Sequence, residues 1–392
     1  MRRVVLYICL SLAVCATGFG LWRAAGTRAT AGTYPLTYLS SWSPRAAADY
    51  LDRREIWWHD WPPAQMDRGT VCISCHTVVP YTMIRLALGQ ELHERGIVAP
   101  ERALMDSVEK RVARWSEVEA FYTESPALAA GSHATEAVLN AVILASDDAQ
   151  HGHLRPITRT ALDEAWELQE ETGENAGGWK WQDFNLAPWE SAESPYQGAA
   201  LLLLEVENAP DGYAGEPEIH DHIERLQQYL RRQYAAQPLL NQLYVLWLSS
   251  EVPGLLTAEQ KNTLLEAIRK RQQADGGWVL ASLDPQKPHG RGRWGRLKLR
   301  LIDMARPVES DGYATGLVVL ALEESGMNRH DQTLTRGLEW LERRQGNDGS
   351  WQASSLNAQR DLHSDIGRFM SDAATAYAVM ALEKRRWQPA EK

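Results

Sequence analysis

The sequence predicts an all-α protein, and three observations carry that expectation. From about residue 100 onward, amphipathic runs of helical period alternate with turns rich in Gly, Asp and Pro, and no strand alternation interrupts them. Some of those runs end in the same Gln, Gly, Trp pattern, the mark of an internal repeat. The helices that follow these endings are apolar almost all round and therefore belong inside. With 392 residues, 44% of them hydrophobic and 23% charged, the chain has a globular composition. It has room for one large repeat domain and an appendage. The expected division is a leader at residues 1–31, a cofactor-binding segment at residues 32–98 and a repeat domain at residues 99–392. The 41 basic and 51 acidic residues leave a net charge of −10. No long basic run offsets it, which argues against nucleic acid as the partner.

The leader comes first. Arg2 and Arg3 precede 19 uncharged residues, Val4 to Trp22, enough for a helix to cross the hydrocarbon core of a membrane. Cleavable signal peptides carry a shorter apolar stretch, so a retained anchor is the expectation, with cleavage after Ala29-Thr30-Ala31 as the alternative. The remainder of the chain is then expected on the periplasmic side of a bacterial inner membrane, or free in the periplasm after cleavage. Cys9 and Cys15 fall inside the apolar segment, which leaves Cys72 and Cys75 alone in the exported part. One pair two residues apart cannot staple a domain of this size.

Those two cysteines belong to Cys72-Ile73-Ser74-Cys75-His76. Covalent haem attachment needs two thiols that meet the two vinyl groups and an imidazole beside them to take the iron, which Cys-x-x-Cys-His supplies on one turn of helix. At this cysteine and histidine content a chance match arises in roughly one such sequence in a thousand. A zinc site would need a second ligand pair, and none follows. A redox dithiol of the thioredoxin kind would need a βαβ context, whereas these surroundings predict helix and loop. The expectation is therefore one covalent haem c, with thioethers at Cys72 and Cys75 and iron on His76, installed by the cytochrome c maturation machinery. The distal iron ligand is open among Met83, His59 and Met105, with His93 as a further candidate; an open sixth position is the alternative. Each of these also fits an ordinary core or surface role. Trp57, Trp58 and Trp61 are expected to pack a haem edge or to anchor the segment to the next domain.

In the repeat region, helices are expected over residues 102–118, 134–145, 156–171, 218–234, 239–250, 258–273, 313–325 and 332–344. Leu341, Gln345, Gly349 and Trp351 recur at the same offsets as Ile268, Gln272, Gly276 and Trp278, with Gly177-Gly178-Trp179 as a weaker third unit. Apolar helices follow at residues 196–205, 313–324 and 375–383, and Ala134-Thr135, Ala314-Thr315 and Ala374-Thr375 open related helices. Pairs of this kind bury their faces only by stacking on neighbours. In each ending the glutamine is expected to tie down the last carbonyls of its helix, and the indole to wedge against the next pair.

These endings resemble the Gln-Trp repeats of the squalene–hopene cyclase and protein prenyltransferase superfamily, over most of residues 130–385. The resemblance implies an α/α toroid around a central, often apolar, cavity. The combination also looks like bacterial exported proteins in which a cytochrome c motif is fused to such a toroid. Bacterial cyclases protonate substrate with an Asp-x-Asp-Asp-Thr-Ala acid. The nearest stretch here, Ser371-Asp372-Ala373-Ala374-Thr375-Ala376, has alanine at both positions of the adjacent acid pair. Asp147-Asp148 predicts a solvated helix end, and the toroid has no cysteine for a prenyltransferase zinc. Both inherited chemistries are therefore expected to be absent.

A polar stretch containing Asn357, Arg360, Asp361, His363, Asp365, Arg368 and Asp372 is a candidate ligand or partner loop, although Asp372, like Asp311, is expected first as a helix cap. The basic run Arg291–Arg300 with Trp294 is expected as solvated surface, or as a dock for an acidic redox protein or anionic headgroups. The expected role is one-electron transfer to a redox partner protein, with the toroid as docking or ligand-binding scaffold. Haem-dependent oxidation of an apolar, isoprenoid-like small molecule is the alternative, and a structural haem in an interaction module is the second.

Overall fold

A computed structural model describes residues 38–284, 309–357 and 360–387. The expected leader and the basic run Arg291–Arg300 lie outside the described residues. The described chain is mostly helical, as expected, with strand confined to a two-stranded hairpin, β1 Gln65–Met66 paired with β2 Thr70–Val71. The helices are α1 Pro44–Asp60, α2 Val78–Glu91, α3 Ala99–Val112, α4 Pro126–His151, α5 Pro156–Glu167, α6 Ser194–Asn208 and α7 His220–Gln233. They continue with α8 Leu239–Leu248, α9 Ala258–Arg271, the single turn α10 Leu280–Leu283, α11 Gly312–Glu324, α12 Gln332–Arg343 and α13 Phe369–Trp387.

Local chemistry starts and stops several of them. Ser43 accepts a hydrogen bond from Ala46 N with Pro44 at the first helical position of α1, and Ser125 and Pro126 do the same for α4. Thr257 and Gln260 form a reciprocal capping box on α9. Asp311 caps α11 as expected, accepting from Ala314 N. Helix α3 stops at Val112, short of the expected residue 118, because the chain turns into a 3-10 segment at Trp115–Glu117.

Packing follows a closed order. Helix α2 packs on α4, α4 on α6, α6 on α8, α8 on α11, α11 on α13, and α13 returns to α2. Each but α13 carries a partner from an adjacent part of the chain: α1 on α2, α5 on α4, α7 on α6, α9 on α8 and α12 on α11. The segment expected as an appendage, residues 32–98, supplies α1 and α2, and α2 stands between α13 and α4. Helix α4 is long and apolar enough to cross a membrane, but 72% of its apolar window is buried inside the fold. Apolarity here serves the core.

The repeated endings make the joints between pairs. Gln345 Nε2 donates to Gly349 O and to Ser43 O at the start of α1. Gln272 Nε2 makes the same two bonds, to Gly276 O and to Thr333 O in α12, and Gln169 Nε2 to Gly177 O and His222 O in α7. The indoles of Trp351, Trp278 and Trp179 donate instead to Leu341 O, Ile268 O and Ala165 O, near the ends of their own helices. The expected roles are therefore exchanged: the indole ties down the finished helix, and the glutamine reaches the next one. All three tryptophans are at most 1% exposed. The joint also needs glycine. Gly349 has φ +94°, and a Cβ there would lie 1.9 Å from Ala46 O of α1. The threonines that open apolar helices complete the joints, since Thr375 and Thr315 accept from Trp351 N and Trp278 N.

Asp147 and Asp148 are not a solvated helix end. Both are buried, and both hold Arg155, which bonds Asp148 through Nε and Asp147 through Nη2 at 2.7 Å. The arginine at the start of α5 draws them inward.

Candidate functional site

The Cys-x-x-Cys-His pentapeptide is not on a helical turn, as its spacing predicted, but in the bend between β2 and α2. Several backbone bonds hold it there. Cys72 N donates to Ala64 O at 2.7 Å, and Cys72 O accepts the indole N–H of Trp58 at 2.7 Å. Ser74 Oγ accepts from both Thr77 N and Val78 N at 3.1 Å, and so covers donors at the start of α2 that have no helical partner.

Cys72, Cys75 and His76 line one cleft. It is an open cleft, and its roughly 960 Å³ of unfilled space includes the solvent at its mouth. Its apolar walls include Trp58, Trp61, Trp189 and Phe369; its polar ones include Gln182, Glu190, Asn357 and Arg360. Phe369 stacks on the His76 ring at 3.9 Å between centroids, and Trp58 meets the same ring edge-on at 5.1 Å. Trp58 and Trp61 thus line the cleft, while Trp57 stacks behind Trp61 at 5.1 Å under the Arg54 guanidinium.

Beneath His76 lies a buried polar cluster. Its Nδ1 is 2.8 Å from Thr77 Oγ1, and that hydroxyl is 2.7 Å from Asp372 Oδ2. Asp372 Oδ1 accepts from Tyr50 OH and from Arg54 Nε, each at 2.8 Å. Arg54 also bonds Asp365 through its side chain and its carbonyl. Asp372 is therefore not the expected cap. Helix α13 begins three residues earlier, at Phe369, and the carboxylate turns inward with 1% exposure. Asp311, the other aspartate of that pattern, does cap.

The remaining candidates of the polar stretch divide. Asn357 and Arg360 line the cleft, Asn357 donating to Ala187 O at 2.6 Å. Asp361 is exposed and accepts from His363 N within its own loop, and Arg368 pairs with Asp348 at 3.9 Å; neither lines the cleft. Nor do His59, Met83, Met105 or His93. Met105 is buried against the core from α3, and Met83 packs there from α2. Met370, beside Phe369 on α13, does line it. No sequence signal singled out Met370, Trp189 or Glu190, because only folding brings residues 182–190 and 355–370 to residue 76.

Electrostatics in the cleft is set by burial. Desolvation pushes both thiols up, Cys72 well above its ordinary value, with the Glu136 and Glu190 carboxyls adding to the rise for Cys72 and Glu190 for Cys75. Thiols of this kind are poor thiolates, unlike the acidic cysteines of disulfide exchange. Burial, then Arg54 and Arg360, lowers His76 to about 3, so its ring is neutral. Glu190 is raised to about 7 by burial alone, with Gln182 Nε2 donating to it at 3.2 Å. Cys72 and Cys75 are both free thiols. Among the described residues no three His, Cys, Asp or Glu side chains converge as a metal cage. A haem brings its own four nitrogens and asks the protein for one axial base. His76 Nε2 meets that demand, since among the described residues only Nδ1 of this ring is hydrogen-bonded to protein. The residues fit the group.

No protein-family model matches this chain, and no curated protein is similar to it.

Proposed function

We propose that this chain is an exported monohaem c-type protein that transfers single electrons, with its haem held in the cleft between the pentapeptide and the helical repeats. Cys72 and Cys75 would carry the thioethers and His76 the iron. The observation that carries the reading is the convergence of two free, protonated thiols and a neutral imidazole on one aromatic-walled cleft. The haem, when bound, supplies a one-electron change at iron. The chain's own residues do the rest: Phe369 and Trp58 orient the imidazole, the aromatic walls exclude water, and Thr77 fixes Nδ1. The closed order of helix neighbours supports an α/α toroid, with the Gln-Gly-Trp joints linking successive pairs and α1 and α2 completing the circle. On this reading the toroid is the rigid scaffold for one wall of the cleft and the dock for a redox partner protein.

The test is a pyridine haemochrome assay on full-length protein produced with the cytochrome c maturation machinery. One haem per chain that survives acid–organic extraction is expected, and Cys72→Ser with Cys75→Ser is expected to lose it. A folded wild-type chain without extraction-resistant haem would overturn the reading. A second reading is oxidation of an apolar small molecule at an open iron: none of His59, Met83 and Met105 lines the cleft, and Met370 is the methionine that does. Carbon monoxide binding to the reduced protein would support it, and a low-spin spectrum unmoved by carbon monoxide would support the carrier.

A further inference from the structure

We infer that Asp372 and Thr77 act together as a positioning relay that sets the tautomer of His76 and lowers the reduction potential of an iron bound to it. The inference rests on the haem reading above and concerns residues to which that reading assigns no charge effect.

The hydrogen positions follow from the donors available. Asp372 Oδ1 already accepts from Arg54 Nε and Tyr50 OH, so the carboxylate is held as an acceptor by a guanidinium and a phenol. Its free oxygen, Oδ2, is 2.7 Å from Thr77 Oγ1, and the threonine proton therefore points to Asp372. A hydroxyl has one proton. With that proton committed, Thr77 Oγ1 faces His76 Nδ1, 2.8 Å away, with lone pairs only, so Nδ1 carries the N–H and donates. The neutral ring then has its lone pair on Nε2, the nitrogen that takes iron. The sequence of bonds, His76 Nδ1–H to Thr77 Oγ1–H to Asp372 Oδ2, is shielded from solvent: Thr77 is 3% exposed and Asp372 1%.

The consequence for iron is electrostatic. A hydrogen bond from the outer nitrogen of a ligating imidazole raises its basicity, and an anion at the end of the chain adds to that effect where the surroundings are apolar. A more electron-rich ligand favours the ferric over the ferrous state. Arg54 and Arg360 act on His76 in the opposite sense, so the shift rests on the Nδ1 hydrogen bond oriented through Thr77 and not on a net negative charge. The relay also ties three elements at the motif, namely α1 through Tyr50 and Arg54, the pentapeptide turn through Thr77, and α13 through Asp372.

The test compares Thr77→Val, which keeps the side-chain shape and removes the hydroxyl, with Thr77→Ser, which keeps the hydroxyl, in holoprotein by redox titration. Thr77→Val is expected to shift the ferric-to-ferrous ratio at fixed potential at least tenfold toward ferrous, about 59 mV for a one-electron couple. Thr77→Ser should stay within threefold of wild type. A Val variant with full haem content and an unmoved potential would overturn the relay while leaving the haem reading intact. Equal shifts in Val and Ser would overturn it as well, by assigning the effect to packing. Wild-type protein without covalent haem would remove the haem reading, and this inference with it. If Thr77→Val does not fold, Thr77→Ala against Thr77→Ser reads the same hydroxyl, and an unmoved potential there overturns the relay.

Discussion

Arg54 and Asp372 face one another in a part of the fold that water does not reach, at 3% and 1% side-chain exposure. Neither charge is tolerable alone there, because breaking a buried pair from one side leaves an uncompensated ion at a cost of about 3–5 kcal/mol. Arg54→Leu is therefore expected to destabilise the protein by about that amount in urea denaturation. A loss below about 1 kcal/mol, the range of exposed pairs, would mean that water reaches the site. The sequence around Asp372 hides this role. Ser371-Asp372 and Ser310-Asp311 look alike, each a Ser-Asp pair ahead of an apolar run. Asp311 caps its helix, whereas Asp372 lies inside α13 and is claimed by an arginine 318 residues away in the chain.

At the scale of elements, the joint between helix pairs was visible in the residues but not in its wiring. Gln272 and Gln345 stand six positions before their tryptophans, and that shared spacing reveals the repeat. Gln169 stands ten positions before Trp179, so the same joint is lengthened by a loop and looks weak in the sequence, yet its bonds match the other two. What spacing could not tell is the direction of each bond, since that depends on where the next helix starts. Gly349 makes the sharpest test at this scale. Its φ is +94°, and the carbonyl of Ala46 occupies the space a side chain would need. Gly349→Ala is expected to cost more than the roughly 1 kcal/mol ordinary for an incompatible backbone and to lower the thermal midpoint by several degrees. Gly152→Ala is the control. It has φ +73° but nothing within 4 Å of its Cβ, and should cost less. Equal losses would show that the contact with α1 carries no energy.

For the whole molecule, buried carboxyls set the response to pH. Burial raises Glu55 to about 8, with Asp372 and Asp52 adding to the rise, and burial with Glu251 does the same to Glu205. In the unfolded chain such groups lose their protons near pH ~4.3. Between those values the folded state holds more protons than the unfolded one, so stability is fully present below about pH 4 and is lost as pH rises through about 8. The urea midpoint is therefore expected to be lower at pH 8.5 than at pH 5.5, and Glu205→Gln should flatten that slope. A midpoint that rises across this interval would mean the folded state binds these carboxyls in their charged form.

Sequence by itself determined the helical class, most helix positions from residue 126 onward, the repeat unit and the pentapeptide with its two thiols and imidazole. These are local properties: period, spacing and turn chemistry act over a few residues and leave their mark there. Tertiary structure alone decided that α1 and α2 stand within the closed order of helices and that Asp372 supports His76 through Thr77. It also decided that Glu190, Arg360 and Met370 face the same cleft while His59, Met83 and Met105 do not. Each of those depends on residues distant in the chain arriving at one place. Only the burial of the apolar helices against one another brings them there.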